Sequence, residues 1–156
     1  MVAGFLSDSA YFVSLKRLRL DPQRVSPSHD YLNSELDDEL DGGGRVLLVG
    51  DAKVFDLEMP ILYHTCFDTC LFEEIAEDRT PEEVRAALAS QGITHVGVHW
   101  GEIRRYRDSK YGFTDFVQPS VFDDLVAAQV LEPAREFRTR DGEKERRVVT
   151  IYRVRK

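Results

Sequence analysis

The sequence predicts an α/β fold class: a three-layer, Rossmann-like domain whose mixed sheet of about five strands ends in an antiparallel hairpin. One observation is the apolar run at residues 45–49 (RVLLV), which follows three glycines and is closed by Gly50. Another is a helix pattern over residues 80–91, which is followed by a second apolar run at residues 93–99. Apolar runs separated by a helix are typical of parallel strands that are buried on both faces. Ligands bind at the carboxyl ends of such strands, so we expect a site at that edge.

The bulk composition predicts an ordinary water-soluble domain. At 156 residues the chain is long enough to bury roughly two thirds of the surface that its unfolded form exposes. No apolar run approaches the roughly 18 residues that a membrane span requires, and the apolar start at residues 1–6 is too short for a signal peptide. The net charge of −7 argues against a general nucleic-acid-binding protein, because phosphate neutralisation requires a basic surface.

Positive charge is concentrated in the last part of the chain, from Arg135 onward. A basic ribbon of this kind is able to face anionic lipid headgroups or an acidic partner. The simpler interpretation, a solvated hairpin face, is favoured.

The first 40 residues predict a helical segment that packs on an α/β domain spanning residues 41–156. Residues 7–20 place apolar side chains about three residues apart with basic ones between them, which indicates an amphipathic helix. An Asp-Pro step ends it, because the residue before proline is pushed out of the helical region. Ser26 and Pro27 then begin a second helix as its N-cap and first-turn proline. Its apolar face carries Leu32, Leu36 and Leu40.

The segment between the two apolar runs predicts a short strand and a short helix. Residues 60–64 are the strand, and residues 51–59 connect it to the first strand with room for a brief helical turn. Residues 67–77 predict a helix or turn with Asp68 as its candidate cap.

Two further helices have recognisable starts. The clearest is the helix over residues 80–91, where Thr80 and Glu83 form a capping box around a first-turn proline. Residues 120–129 predict the last helix, and Ser120 and Asp123 stand in the positions of a similar cap.

The chain closes with a predicted hairpin. Its strands are residues 135–138 and 147–154, and Asp141-Gly142 supplies the positive φ that such turns require. Short strands that alternate with helices and then form a hairpin favour a mixed sheet.

The loop after the first strand lacks a nucleotide-binding signature. A dinucleotide fold places Gly-x-Gly-x-x-Gly at this turn, but the second and third glycine positions hold Ala52 and Phe55. The chain also has no Gly-x-x-x-x-Gly-Lys-Ser/Thr phosphate loop. We therefore expect no cofactor.

Five potential zinc ligands fall near predicted strand ends: His64, Cys66, Cys70, His95 and His99. His95 and His99 are roughly 13 Å apart along one strand, which is too far to share an ion. His64, Cys66 and His99 remain able to converge across neighbouring strands. Histidines in or near a core are the more common case, so we assign no metal ligand and expect two free thiols.

The same residues contain the parts of a nucleophilic site. A cysteine, His64 or His99, and Asp68 are able to form a triad in principle, but no elbow such as Gly-x-Ser-x-Gly is present. We therefore assign no catalytic residue.

The segment after the third strand contains further cleft candidates. Glu102 and Arg105, three residues apart, face each other on a helical turn, and Tyr106 begins an aromatic rim. The competing interpretation is a local salt bridge that pins the loop above packed rings. The predicted ligand cleft is lined by Asp51, His64, Asp68, His99, Glu102, Arg105 and Tyr106.

Several short motifs occur along the chain in a characteristic order. They are Tyr31-Leu32-Asn33, residues 45–52 (RVLLVGDA), Phe67-Asp68, residues 92–96 (GITHV) and Glu102-Ile103-x-Arg105-Tyr106. In this order they resemble the C-terminal extramembrane domain of bacterial polytopic membrane glycosyltransferases, the protein-mannosyltransferase-like enzymes that use polyprenyl-phosphate sugars. The resemblance covers most of the chain, from Ser7 to the last helix.

The resemblance implies a domain that lies on the extracytoplasmic face of a bacterial membrane. Its implied partner is the transmembrane portion of the same or a partner glycosyltransferase, and its implied ligand is carbohydrate or acceptor. The family's catalytic carboxylates belong to the membrane portion, so none is carried onto this sequence. The expected function is a non-catalytic accessory or interaction domain. The alternative is a small free-standing α/β enzyme or nucleotide-binding protein that uses the same cleft.

Overall fold

The structure is a computed structural model that describes residues 26–36, 44–141 and 144–156. Parts of the sequence prediction lie outside the described residues, among them the helix over residues 7–20 with the Asp-Pro step that ends it, Leu40, two of the three glycines before the first strand, and the turn residue Gly142.

The described residues form five helices and five strands. In order they are α1 (Pro27–Glu35), β1 (Arg45–Val49), β2 (Ile61–Leu62), α2 (Leu71–Ala76), α3 (Pro81–Ser90), β3 (Ile93–His99), α4 (Trp100–Arg107), α5 (Pro119–Ala127), β4 (Leu131–Asp141) and β5 (Lys144–Val154). The bounds predicted for the first and third strands are confirmed. None of the described helices combines the length and the apolar character that crossing a membrane requires.

The five strands form one mixed sheet in the order β2-β1-β3-β5-β4. β1 runs parallel to β2 and to β3, with Val46 opposite Ile61 and Leu47 opposite Val96. β5 is antiparallel to β3 and β4, so the predicted closing hairpin is present. The mixed α/β sheet is therefore confirmed, whereas the Rossmann-like, three-layer description stays a prediction. Because β1, β2 and β3 are parallel, their carboxyl ends share one edge of the sheet.

Apolar side chains alternate across β1 and pack on both of its faces. Leu47 and Val49 belong to a large cluster that also contains side chains of α2, α3, α4 and α5. Val46 and Leu48 belong to a smaller cluster that α1 covers with Leu32. Burial on both faces explains why this strand reads as a continuous apolar run.

The helix starts follow the sequence prediction only in part. Ser26 accepts a hydrogen bond from the amide of His29 (3.3 Å), so it caps α1 as predicted. The capping box of Thr80 and Glu83 at α3 is also confirmed. α2, however, begins at Leu71, four residues later than the predicted segment.

Asp68 does not cap α2. Its carboxylate accepts hydrogen bonds from the amide (2.9 Å) and the hydroxyl (2.7 Å) of Thr65, and these close a turn ahead of the helix. The predicted cap at α5 is wrong as well. That helix begins at Pro119, one residue earlier than predicted, because proline fits the first helical turn. Its N-cap is Gln118, and no side chain bonds there in the way proposed for Ser120.

The strands differ from the prediction mainly in length. β2 contains only two of the five residues predicted for it. β4 and β5 contain eleven residues each and are longer than predicted. Pairing between β3 and β5 stops at His99 and Val149, so the outer half of the hairpin extends past the sheet and pairs only with itself.

Candidate functional site

The predicted cleft residues lie at the ends of β1, β2 and β3 or in the segments that follow them, and six of the seven belong to two groups of side chains. The strand-end network consists of His29, Asp51, Lys53, Asp56, His99, Glu102 and Arg105. The His64 cavity is lined by His64, Thr65, Cys66, Asp68, Thr69, Cys70, Glu73, Phe113 and Thr114.

A buried histidine of α1 stands between two carboxylates of the loop after β1. His29 donates from Nε2 to Asp51 (2.9 Å) and from Nδ1 to Asp56 (2.8 Å). An ionised carboxylate only accepts hydrogen bonds, so two carboxylate partners favour the ring that carries both protons. Burial opposes this charge, but the bonds and charges of Asp51 and Asp56 raise the pKa of His29. Burial likewise opposes ionisation of Asp51, but hydrogen bonds from His29 and from the amide of Lys53 lower its pKa.

The cleft predicted from the sequence does not include His29, Asp56 or Asn33, although Asn33 is part of the Tyr31-Leu32-Asn33 motif. Asn33 donates to the carbonyl of Asp56 (2.7 Å) and accepts from the amide of Glu58 (3.0 Å). His29 and Asn33 are four residues apart on α1, so both face the same loop. This spacing of two polar residues beside an apolar helix face is the signal that could have identified them. α1 therefore holds the loop after β1 in place.

His99 ends β3 and begins α4. Its Nδ1 accepts from the amide of Glu102 (3.1 Å), and burial lowers the pKa of His99, which keeps the ring neutral near neutral pH. The carboxylate of Glu102 accepts from Nε of Arg105 (2.9 Å) and from Nζ of Lys53 (3.4 Å). Burial opposes ionisation of Glu102, but Arg105 and Lys53 lower its pKa. The local salt bridge of the competing interpretation is thus present.

Two aromatic rings connect the strand-end network with the His64 cavity. The guanidinium of Arg105 lies 4.5 Å from the ring centroid of Tyr106. Tyr106 stacks on Phe113, with 6.2 Å between the ring centroids. Phe113 in turn contacts His64, with 5.8 Å between the centroids.

The His64 cavity has a volume of about 170 Å³. His64 is only 7% exposed, and neither of its ring nitrogens has a hydrogen-bond partner among the described residues. Burial lowers the pKa of His64, so the neutral ring offers one N–H donor and one acceptor nitrogen. Buried polar groups are nearly always hydrogen bonded, which makes this imidazole the exceptional group at the edge.

Carboxylates and hydroxyls supply the remaining polar lining of the cavity. Hydrogen bonds from the side chain and amide of Thr65 lower the pKa of Asp68, which is therefore ionised near neutral pH. Thr114 donates to the carboxylate of Glu73 (2.7 Å). The described lining contains no lysine or arginine, so its charge is negative.

The two cysteines of the cavity are free thiols, as predicted. Burial raises the pKa of Cys70, which disfavours the reactive thiolate. Within residues 26–36, 44–141 and 144–156, no three His, Cys, Asp or Glu side chains are arranged to hold a metal ion. The convergence of His64, Cys66 and His99 that the sequence left open therefore does not occur.

A larger cavity, of about 570 Å³, lies at the opposite edge of the sheet, where β1 and β3 begin. His95, Arg153 and Lys156 contribute to its lining. None of the predicted cleft residues reaches it.

Comparisons with protein-family models, with curated proteins and with solved structures find no match for this chain.

Proposed function

We propose that this chain is a non-catalytic accessory domain of a membrane-bound glycosyltransferase, and that it contacts acceptor or sugar at the carboxyl edge of its parallel strands. The single observation that carries the proposal is that the polar groups of the strand-end network bond to one another. Both nitrogens of His29 bond carboxylates, Nδ1 of His99 accepts an amide proton, and Glu102 binds two cations. A general acid or base must exchange a proton with its substrate, and these groups instead hold the loops.

The residues that carry the family resemblance also support a scaffolding role. Asn33 binds the loop after β1, Asp51 binds His29, and Glu102 binds Arg105. Their contacts order the edge at which a partner or a glycan meets the domain. The partner that we propose is the transmembrane portion of the same or a partner glycosyltransferase, on the extracytoplasmic face of a bacterial membrane.

A ligand screen separates this function from the alternative of a small enzyme or nucleotide-binding protein. Thermal unfolding of the chain is measured with nucleotides, with sugar nucleotides and with divalent metals. We expect no shift of the midpoint with nucleotides or metals. A midpoint raised by several degrees would contradict the proposal, since a ligand that binds the native state must stabilise it.

The contact role is tested in a complete glycosyltransferase that contains this domain. The double variant Glu102→Gln/Arg105→Gln removes the charged pair of α4, in which the side chain of Arg105 is 59% exposed and that of Glu102 is 15% exposed. We expect it to lower glycosyl transfer while circular dichroism shows the domain still folded. The matched control is Glu136→Gln/Arg138→Gln, an ion pair on β4, which should leave transfer unchanged. Equal activity of the two double variants would contradict a contact at this edge.

A further inference from the structure

Two exposed aromatic rings stand beside the His64 cavity. Phe67 is 78% exposed and Tyr111 is 54% exposed, and their rings contact each other edge to face with 5.5 Å between the centroids. Phe67 belongs to the loop that lines the cavity from residues 64–70, and Tyr111 lies two residues before Phe113 of the lining. Exposed apolar rings next to a cavity with a few polar groups are typical of a ligand site.

The size of the cavity limits its occupant. A cavity of about 150 Å³ is known to hold benzene, so a volume of about 170 Å³ admits one six-membered ring with little to spare. A complete nucleotide, with its base, ribose and phosphates, is larger than this volume.

The chemistry of the lining narrows the class of ligand further. Asp68 and Glu73 disfavour an anion, because the described lining has no cation to balance a phosphate or carboxylate. The neutral ring of His64 has one N–H donor and one acceptor nitrogen, and both lack a partner in the part of the chain that the structure describes. A hydroxyl group is able to bond with either nitrogen, because it both donates and accepts hydrogen bonds. Carboxylates add acceptors for further hydroxyl or ammonium groups.

We propose that the His64 cavity binds a single sugar ring, either uncharged or bearing an amino group, whose face packs against the Phe67–Tyr111 pair. The sugar replaces the hydrogen bonds that the buried imidazole lacks. Solvent does not reach either nitrogen of His64, so hydrogen bonds from the sugar to this ring require a lining side chain to move. The biological role of such a ligand rests on the proposed function. In addition, we expect this cavity to reject sugars that carry a phosphate.

Binding is measured on the full chain by nuclear magnetic resonance. The probes are the methyl pyranosides of glucose, mannose, galactose and glucosamine, with inorganic phosphate and zinc as contrasting probes. We expect at least one pyranoside to shift the signals of residues 64–70 and 113–114 at millimolar concentration. Phosphate and zinc should leave these signals in place.

Two variants test the contacts. His64→Phe keeps a planar ring but removes both nitrogens. It should weaken pyranoside binding at least about tenfold while the unfolding midpoint stays equal or rises, because an unpaired buried polar group is replaced by an apolar one of similar shape. A lowered midpoint would assign His64 a structural role instead. Phe67→Ala should weaken binding by a similar factor.

The matched control is Phe55→Ala, a phenylalanine in the loop after β1 that is 98% exposed, which should bind the sugar as the unchanged chain does. Larger shifts with phosphate or zinc, or no shift with any pyranoside, would overturn the sugar assignment. The accessory role is tested separately, by the transfer activity of the complete enzyme with the Glu102 and Arg105 substitutions.

Discussion

Two buried histidines at the same edge of the sheet have pKa values that are shifted in opposite directions. The pKa of His29 is raised because Asp51 and Asp56 more than offset the cost of burying its charge. His64 is neutral because burial outweighs the distant charges of Asp68 and Glu74. The two side chains therefore affect stability with opposite signs as the pH changes.

His29 makes the protein less stable as the pH rises. Its pKa is raised in the folded state, so its contribution is complete below the unfolded value of 6.5 and is lost as the pH rises through the folded pKa. We expect the free energy of unfolding to fall in this range, by at most about 1.4 kcal/mol per pH unit from this group. Urea unfolding of the chain and of His29→Gln at several pH values measures the difference. An unchanged difference across this range would contradict the ionic interpretation.

His64 and Asp51 provide controls, because their contributions to the free energy of unfolding increase as the pH rises. The pKa of His64 is lowered, so its neutral burial costs stability only as the pH falls below 6.5, and His64→Phe should remove that loss. The pKa of Asp51 is also lowered. Its contribution is present above the unfolded value of 3.8 and is lost as the pH falls through the folded pKa.

Gly50 joins β1 to the strand-end network and requires a backbone that other residues avoid. Its φ is +80°, and a Cβ placed there would lie 2.5 Å from Cγ1 of Ile103 in α4. We expect Gly50→Ala to lower the free energy of unfolding by more than the roughly 1–3 kcal/mol that the backbone strain costs alone. Chemical denaturation measures this loss.

Gly112 is the matched control, since its φ is +71° but a Cβ there would meet nothing within 4 Å. Gly112→Ala should therefore lower the free energy of unfolding by the backbone cost alone, and by less than Gly50→Ala does. Equal losses would show that the contact with Ile103 is unimportant.

At the scale of elements, α3 and α5 both begin with proline but are capped differently. Thr80 accepts from the amide of Glu83 (3.3 Å) at the start of α3, and the side chain of Glu83 bonds back to the amide of Thr80 (2.8 Å). α5 has no side-chain bond at its N-cap. A proline in the first turn thus fixes where a helix begins, and the capping hydrogen bonds determine how stable that first turn is.

The difference between the caps gives a prediction for single substitutions. Thr80→Ala should lower the free energy of unfolding by about 1 kcal/mol, because it removes one half of the capping box. Ser120→Ala should leave it nearly unchanged, since Ser120 lies inside α5 and caps nothing. Denaturant titrations of both variants measure the contrast. A larger loss for Ser120→Ala would indicate that Ser120 does cap α5, as the sequence predicted.

For the whole molecule, one aromatic cluster joins helices to the hairpin half of the sheet. Phe122 of α5 stacks on Phe72 of α2 and on Tyr152 of β5, with centroid distances of 4.5 and 5.2 Å. The ring of Trp100 meets Phe122 edge to face at 5.4 Å, and its indole N–H donates to Thr150 (3.0 Å). Elements that are distant in the chain are thereby bound into one core.

Truncating the centre of this cluster should affect the whole domain. We expect Phe122→Ala to lower the free energy of unfolding by about 3–5 kcal/mol, because a fully buried ring is replaced by a void. The loss should appear in a single cooperative transition that fluorescence and circular dichroism report alike. The control is Phe55→Ala, 98% exposed, which should change stability by less than about 0.5 kcal/mol. Separate transitions by the two probes would indicate that the helices and the hairpin unfold independently.

The sequence by itself determined the features that depend on neighbouring residues. The bounds of β1 and β3, the caps of α1 and α3 and the closing hairpin follow from local apolar patterns, prolines and capping side chains. Parallel pairing of β1 and β3 also follows, because continuous apolar strands joined through a helix are stable only when both faces are buried.

Only the tertiary structure decided which polar groups meet. His29 lies 22 residues from Asp51 and 27 from Asp56, and nothing in its local pattern specifies that α1 packs over the loop after β1. The same is true of His64, whose unpaired ring depends on where Phe113 and the loop after α4 pack. Hydrogen bonds and burial between distant segments depend on the complete packing of the chain, whereas strands and helix caps depend on a few adjacent residues.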